Sequence, residues 1–115
     1  KLPDSFFTTD DGKTFFVANS ENVPPFEFNG KIAVHAYVFE CDGKRFVGFL
    51  ERYTPEARKT IMAQQHSSFE IETYGRELKK PGDTTWVRAS DADALAKVTD
   101  VKCPNGHANP VPVEP

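Results

Sequence analysis

The sequence predicts an α+β fold: an antiparallel sheet of hairpins with one main helix packed on it and a short helix near the C-terminus. The longest apolar and β-branched stretch, Lys31–Tyr53, contains Asp42-Gly43, the pair that a two-residue type I′ turn prefers. A helix start, Thr54-Pro55-Glu56, follows at once, with Thr as N-cap and Pro at the first helical position. Asp/Asn-Gly-Lys also occurs three times, as Asp11-Gly12-Lys13, Asn29-Gly30-Lys31 and Asp42-Gly43-Lys44, which indicates three tight turns.

The Asp42-Gly43 turn predicts the register of the central hairpin. Counting outward from the turn pairs seven residues on each side: Cys41–Lys44, Glu40–Arg45, Phe39–Phe46, Val38–Val47, Tyr37–Gly48, Ala36–Phe49 and His35–Leu50. Both faces of the hairpin are then largely apolar. We therefore expect two central strands that are covered on both sides.

The segments before and after this hairpin predict further elements. A turn at Asp11-Gly12 sets Phe7 opposite Phe16 and Phe6 opposite Val17 in a first hairpin. Phe26 to Phe28 is a short edge strand. The main helix should run from about residue 55 to residue 65. After it, the alternation of apolar and acidic residues over 69–73 predicts a half-exposed strand.

The C-terminal third predicts smaller elements. A third hairpin turns at Pro81-Gly82-Asp83, and Ser90-Asp91-Ala92-Asp93 opens a short helix. Val101 to Cys103 is the predicted last strand. Residues 1–103 then form a single globular domain, and residues 104–115, which contain four prolines, form an extended proline-rich tail.

Composition limits the classes of partner. The chain has 115 residues, a net charge of -3 and scattered Lys and Arg, so no basic stripe points to a nucleic acid. It contains no apolar run of eighteen residues and no visible signal peptide. We expect contact with a membrane only through an anchor that is absent from this segment, and a protein partner or self-association as the working interaction.

Several residues could support chemistry, and each has a simpler explanation. Cys103 and His107 have a spacing that zinc sites use, with Cys41 as a third ligand, but a Gly-containing turn after a bridged cysteine has the same letters. His35 in an apolar strand is typical of a satisfied core histidine. Glu27, Glu51, Glu70 and Glu72 could supply an acid–base pair, yet nothing in the sequence fixes two of them at a working separation. We therefore predict no catalytic residue and no cofactor.

The two cysteines leave two alternatives open. A Cys41–Cys103 disulfide would close a loop of about 62 residues and, in the chain-entropy model, would stabilise the fold by roughly 4 kcal/mol. Two buried free thiols in a cytosolic protein would give the same sequence.

Aromatic residues are unusually frequent, with ten Phe, three Tyr and one Trp. A well-filled aromatic core is one explanation. The other is an exposed contact patch for a partner, for which the candidates are Phe26, Phe28 and Trp86.

The runs TDDGK at 9–13, VPPF at 23–26, NGK at 29–31 and VGFLERYTP at 47–55 resemble a group of small uncharacterised bacterial proteins that have an N-terminal membrane anchor followed by one exported domain. The resemblance covers about Phe6 to Cys103. It brings no known activity, catalytic residue or ligand. It implies an extracytoplasmic domain, in the periplasm or at the cell surface, and it favours the Cys41–Cys103 disulfide.

We therefore expect a non-enzymatic extracytoplasmic interaction or structural domain of a bacterial cell-envelope protein. One alternative is a pilin-like subunit of a surface filament. Another is a small metal- or thiol-dependent protein that uses Cys103 and His107.

Overall fold

A computed structural model describes residues 2–106 and 108–115, and within these ranges the chain forms one antiparallel sheet of eight strands with three helices. The strands are β1 (Asp4–Thr8), β2 (Phe16–Asn19), β3 (Phe26–Phe28), β4 (Lys31–Cys41), β5 (Lys44–Tyr53), β6 (Arg76–Lys79), β7 (Val87–Arg88) and β8 (Val111–Val113). The helices are α1 (Pro55–Gln64), α2 (Phe69–Tyr74) and α3 (Ala92–Thr99). The strand order is β2-β1-β4-β5-β6-β7, and both β3 and β8 pair with β4. The predicted α+β class is confirmed.

The central hairpin β4–β5 follows the predicted register only near its turn. Asp42 and Gly43 have positive φ angles of 53° and 77°, as a type I′ turn requires, and Val38 lies opposite Val47 as predicted. Beyond this pair the register shifts at a β-bulge, so that Tyr37 lies opposite Phe49, Ala36 opposite Leu50 and His35 opposite Glu51. The predicted pairs Tyr37–Gly48, Ala36–Phe49 and His35–Leu50 are wrong.

Gly48 is the residue that the bulge leaves unpaired. A Cβ atom at this position would lie 2.6 Å from two ring atoms of Phe39 and 2.8 Å from Val101 Cγ2. Only glycine allows the ring to lie this close to the strand.

The bulge exchanges the faces of the two residues that follow it. Leu50 joins one core cluster, whose other buried members are Phe6, Ala36, Val38 and Val47. Phe49 lies in the second cluster with Leu78 and Val98, and α3 covers that face of the sheet. Both faces of the central hairpin are therefore buried, as the sequence predicts, but with Phe49 and Leu50 on opposite sides from those expected.

Other predicted hairpins are present. In β1–β2, Phe7 lies opposite Phe16 and Phe6 opposite Val17, which confirms the register set by Asp11-Gly12. Strand β3 is the predicted edge strand over Phe26–Phe28, and the third hairpin is formed by β6 and β7.

Two predicted strands are wrong. The segment 69–73 lies in helix α2, because Ser68 acts as an N-cap whose side chain accepts from the Ile71 N–H. Gly75 ends this helix close to α1, where a Cβ atom would lie 2.5 Å from Ala57 Cβ. Residues 101–103 form no strand; they follow α3 in irregular conformation and lead Cys103 to Cys41.

The C-terminal segment contains a strand that the sequence analysis did not predict. In β8, Val113 lies opposite Val38, Pro112 opposite Phe39 and Val111 opposite Glu40. Because Pro112 has no N–H, the valine residues on either side of it supply the N–H groups that bond to β4. Residues 111–113 thereby add to the sheet next to its central strand.

Candidate functional site

A cleft of about 230 Å³ opens where β4 and β5 meet the loop after β2 and the residues that follow α1. Its floor is formed by the face of the sheet that contains His35 and Glu51. Eleven residues line it: Ser5, Phe7, Ser20, Asn22, Val23, Pro24, His35, Glu51, Tyr53, Ile61 and Ser67. The cleft therefore combines apolar walls with hydroxyl, amide, imidazole and carboxylate groups.

Glu51 is the buried charged group at this floor, with only 5% of its surface exposed. Its Oε1 lies 2.9 Å from His35 Nδ1, while its Oε2 accepts from the Tyr37 hydroxyl at 2.9 Å and from Arg76 Nη1 at 2.7 Å. A buried carboxylate is tolerated when it is paired and hydrogen-bonded, and these three partners provide both.

A second carboxylate extends the network toward α2. Glu72 Oε2 accepts from the Tyr53 hydroxyl at 2.7 Å and from the Ser67 hydroxyl. Arg76 links the two carboxylates, because its Nε lies 3.7 Å from Glu72 Oε1 while its Nη1 bonds to Glu51. The Arg76 guanidinium thus pairs with both carboxylates, Glu51 and Glu72.

The environment shifts the pKa values of these groups. Burial acts to raise the pKa of Glu51, but the hydrogen bonds and charges of His35 and Arg76 outweigh it and hold that pKa below its usual value. Burial, together with the Glu51 carboxylate, raises the pKa of Tyr37. Burial and the bond to Glu72 raise the pKa of Tyr53. At neutral pH the site therefore holds an ionised Glu51 and two neutral tyrosines.

This charge state fixes the direction of the hydrogen bond between His35 and Glu51. An ionised carboxylate only accepts hydrogen bonds, so His35 Nδ1 must donate to Glu51. Among the residues that the structure describes, His35 Nε2 is bonded to none. Glu51 therefore fixes the orientation of the imidazole at the floor of the cleft.

The sequence alone did not predict that His35, Glu51 and Glu72 lie in one network. The predicted register placed His35 opposite Leu50, whereas the bulge places it opposite Glu51. The predicted strand over 69–73 likewise gave no contact between Glu72 and Tyr53. In helix α2 the Glu72 carboxylate accepts a hydrogen bond from the Tyr53 hydroxyl. Glycine at position 48 within an otherwise apolar strand was the available signal for the bulge.

Cys41 and Cys103 form a disulfide, with an S–S distance of 2.06 Å across 62 positions of sequence. Cys103 therefore has no free thiol with which to bind a metal or act as a nucleophile. His107 lies outside the described residues. Among the described residues, no group of three or more His, Cys, Asp or Glu is placed to hold a metal ion.

The three residues of the predicted contact patch do not lie together. Phe28 is 37% exposed and stacks on Phe16 at 4.3 Å, and Phe26 packs edge-to-face on Phe7 at 5.0 Å. Trp86 instead packs on the cluster that contains Phe6. Because Phe6 and Phe7 are neighbours in one strand, their side chains point to opposite faces of the sheet, and so Trp86 lies across the sheet from the other two.

Trp86 is also covered by cations. The Arg52 guanidinium carbon lies 4.1 Å from the ring centroid and Lys79 Nζ lies 5.7 Å from it. Lys79 in turn pairs with Asp11 in the turn of the first hairpin. These contacts indicate that the half-buried indole of Trp86 has a structural role.

The aromatic residues form a continuous row along the face that contains the cleft. Each ring centroid lies 4.3 to 6.2 Å from the next along the row Phe28, Phe16, Phe7, His35, Tyr37, Phe49, Phe39 and Phe46. Seven of the fourteen Phe, Tyr and Trp residues therefore pack in this row, and Phe28 ends it at the surface.

Three further large side chains are exposed on α1 and α2, where no contact was predicted from the sequence. Phe69 is 83% exposed, Tyr74 63% and Met62 53%. In α1 the buried residues are Ala57 and Ile61, and Met62 next to them is exposed.

Comparisons with known proteins give no relative: no protein-family model, curated protein or solved structure matches this chain. None of the helices within 2–106 and 108–115 is long and apolar enough to cross a membrane.

Proposed function

We propose that the chain is a non-enzymatic interaction domain that works outside the cytoplasm, in the cell envelope of a bacterium. The observation on which this proposal rests is the Cys41–Cys103 disulfide. Disulfides persist in oxidising compartments and are rare in the cytosol. The resemblance to exported bacterial domains agrees with this compartment.

Partner contact is supported by the exposed apolar side chains. Phe28 ends the aromatic row at the surface, and Phe69 and Tyr74 project from α2. Aromatic residues are enriched at surfaces where proteins meet, and these three are candidates for such contacts. A self-associating chain and a separate envelope protein would both use such a surface.

The compartment is tested by the thiol state of the protein purified from its native source under alkylating conditions. We expect a mass that shows no alkylated cysteine before reduction and two alkylated cysteines after it. Two alkylated cysteines before reduction would contradict the proposed location.

The interaction is tested by replacing Phe28 with a photoreactive phenylalanine analogue in living cells. Lys59, an exposed residue of α1, is the matched control position. We expect a discrete crosslinked species from position 28 and none from position 59. A species at twice the chain mass identifies self-association, and one at another mass identifies a separate partner. Equal or absent crosslinking at the two positions would contradict a contact at Phe28.

A further inference from the structure

We propose that the cleft binds an aliphatic primary ammonium group. The group can belong to a small free amine or to a lysine side chain of a partner. The second source rests on the proposed function, whereas the chemistry of the cleft does not.

Two hydroxyl groups of the cleft already donate hydrogen bonds within the protein. The Tyr53 and Ser67 hydroxyls both donate to Glu72 Oε2, since a carboxylate oxygen can only accept. Each hydroxyl oxygen keeps lone pairs. Toward the cleft, both residues therefore offer acceptors.

The loop after β2 shows the same pattern. Ser20 Oγ donates to the Pro3 carbonyl, and Asn22 Nδ2 donates to the Asn19 carbonyl at 2.8 Å. The Ser20 oxygen and the Asn22 Oδ1 remain as acceptors, and the second Nδ2 hydrogen of Asn22 remains as a donor.

The floor of the cleft adds one more acceptor, on Glu51. His35 donates to this carboxylate through Nδ1. Glu51 receives three hydrogen bonds, from His35, Tyr37 and Arg76, whereas a carboxylate offers about four lone-pair sites. Most donors of these residues are thus used internally, the exceptions being the Ser5 hydroxyl and the second N–H of Asn22, and the positions that remain are mainly acceptors.

A ligand that matches this cleft must bring donors. An alkylammonium group has three N–H donors and no acceptor, so it complements the site, whereas a carboxylate or phosphate does not. Under the cleft, the network holds two carboxylates, Glu51 and Glu72, against the Arg76 guanidinium. A second guanidinium, that of Arg58, donates through Nε to the carbonyl of the lining residue Val23 at 3.0 Å.

Shape and apolar lining favour a short aliphatic stem. The apolar walls are Phe7, Val23, Pro24 and Ile61. A volume of about 230 Å³ is smaller than the roughly 300–1,000 Å³ of pockets that hold drug-sized ligands. It suits a stem of a few methylene groups, such as that of lysine.

The first test titrates the isotope-labelled full chain with butylammonium, followed by NMR of the backbone amides and the His35 ring. The neutral control ligand is 1-butanol, which has the same stem. We expect saturable shifts at His35, Glu51 and Asn22 with butylammonium, and at least about tenfold weaker binding of 1-butanol. Equal binding of the two ligands, or no saturable shift with butylammonium, would overturn the proposal.

The source of the ammonium group is separated by a second ligand, lysine blocked as its N-acetyl methylamide. Binding at least as tight as that of butylammonium identifies a cleft that admits a protein-borne lysine. Binding of butylammonium alone identifies a site for small free amines. Both outcomes keep the ammonium chemistry.

Variants then test the individual acceptors. Tyr53→Phe removes the hydroxyl oxygen of Tyr53 and keeps the ring. Ser67→Ala removes the second hydroxyl that is hydrogen-bonded to Glu72. We expect each to weaken butylammonium binding by about five- to tenfold. Tyr74→Phe is the matched control, because Tyr74 is exposed and does not line this cleft, and its affinity should equal that of the wild type.

Thermal unfolding of each variant shows whether it folds, and Ser67→Ala, at an exposed position, keeps the test valid should Tyr53→Phe unfold. Wild-type affinity in both variants would overturn the assignment of these acceptors. Free cysteines in the native protein would contradict the extracytoplasmic location but would leave these titrations unaffected, so the two proposals fail separately.

Discussion

Gly48→Ala should destabilise the protein, although alanine is ordinarily the better residue in a strand. The added Cβ would lie 2.6 Å from two atoms of the Phe39 ring and 2.8 Å from Val101 Cγ2, about 1 Å inside a comfortable carbon–carbon separation. Overpacking of this kind costs about 1–3 kcal/mol. The lower chain entropy of unfolded alanine offsets about 0.4–1 kcal/mol.

The expected net loss is about 1–2 kcal/mol in the free energy of unfolding. Urea denaturation followed by tryptophan fluorescence measures this loss, since Trp86 is the single tryptophan. With a slope of about 1–3 kcal/mol/M, the midpoint should fall by roughly 0.3–2 M.

A double-mutant cycle provides the control. Phe39→Leu removes the ring atoms that the new Cβ meets, so Gly48→Ala should cost less in that background than in the wild type. An unchanged or raised midpoint in Gly48→Ala alone would refute the reasoning. So would an equal cost in both backgrounds, because it would place the effect somewhere other than the contact with Phe39.

The remaining predictions concern the disulfide, the buried carboxylate and the core. Replacing Cys41 and Cys103 together with serine should cost about 4 kcal/mol in urea denaturation, because the disulfide spans 62 positions. The pKa of Glu51 in the folded state lies below its value of about 4.5 in the unfolded chain. The ionised carboxylate therefore stabilises the fold above about pH 4.5. This stabilisation is lost as the pH falls through the folded-state pKa. Unfolding free energies measured between pH 6 and pH 3 should therefore fall less steeply in Glu51→Gln than in the wild type. Leu78→Ala, at a position with no exposed surface, should cost about 2–5 kcal/mol by thermal or urea unfolding.

Each of these predictions has a contrary outcome. A serine double variant as stable as the wild type would show that the disulfide does not restrict the unfolded chain. Parallel acid slopes for Glu51→Gln and the wild type would show that Glu51 keeps an ordinary pKa. Met62→Ala, at a position 53% exposed, is the control for Leu78→Ala and should change stability by no more than about 0.5 kcal/mol.

The turns were the most predictable part of the fold. Asp-Gly and Asn-Gly pairs need positive φ at both positions, and few other residues accept this conformation at low cost, so a pair of letters locates the hairpin. The register next to the turn follows from counting. This is why Val38–Val47 and Phe7–Phe16 were predicted correctly.

The site was less predictable because it depends on one extra residue. A β-bulge changes register through packing between side chains that are distant in sequence, here Gly48 against Phe39 and Val101, and periodicity alone does not show it. With the register moved by one position, Glu51 rather than Leu50 lies opposite His35. The candidate site therefore follows from an irregularity of the strand.

Helix α2 was missed for a related reason. The alternation from Phe69 to Thr73 fits a strand, but a single N-cap, Ser68, stabilises the helical alternative, and Gly75 allows the helix to end against Ala57. In a segment of six residues, such local contacts outweigh periodicity.

Two prolines, one in β8 and one just before it, limit how a second chain could pair with this strand. Successive residues of a strand direct their N–H groups to opposite sides, and in β8 Val111 and Val113 direct theirs to β4. Pro110 and Pro112 therefore occupy the outward side, where they present no donor. A strand from a second copy cannot form a regular ladder there, so this side of the sheet is protected against edge-to-edge aggregation and against growth into a strand-paired polymer.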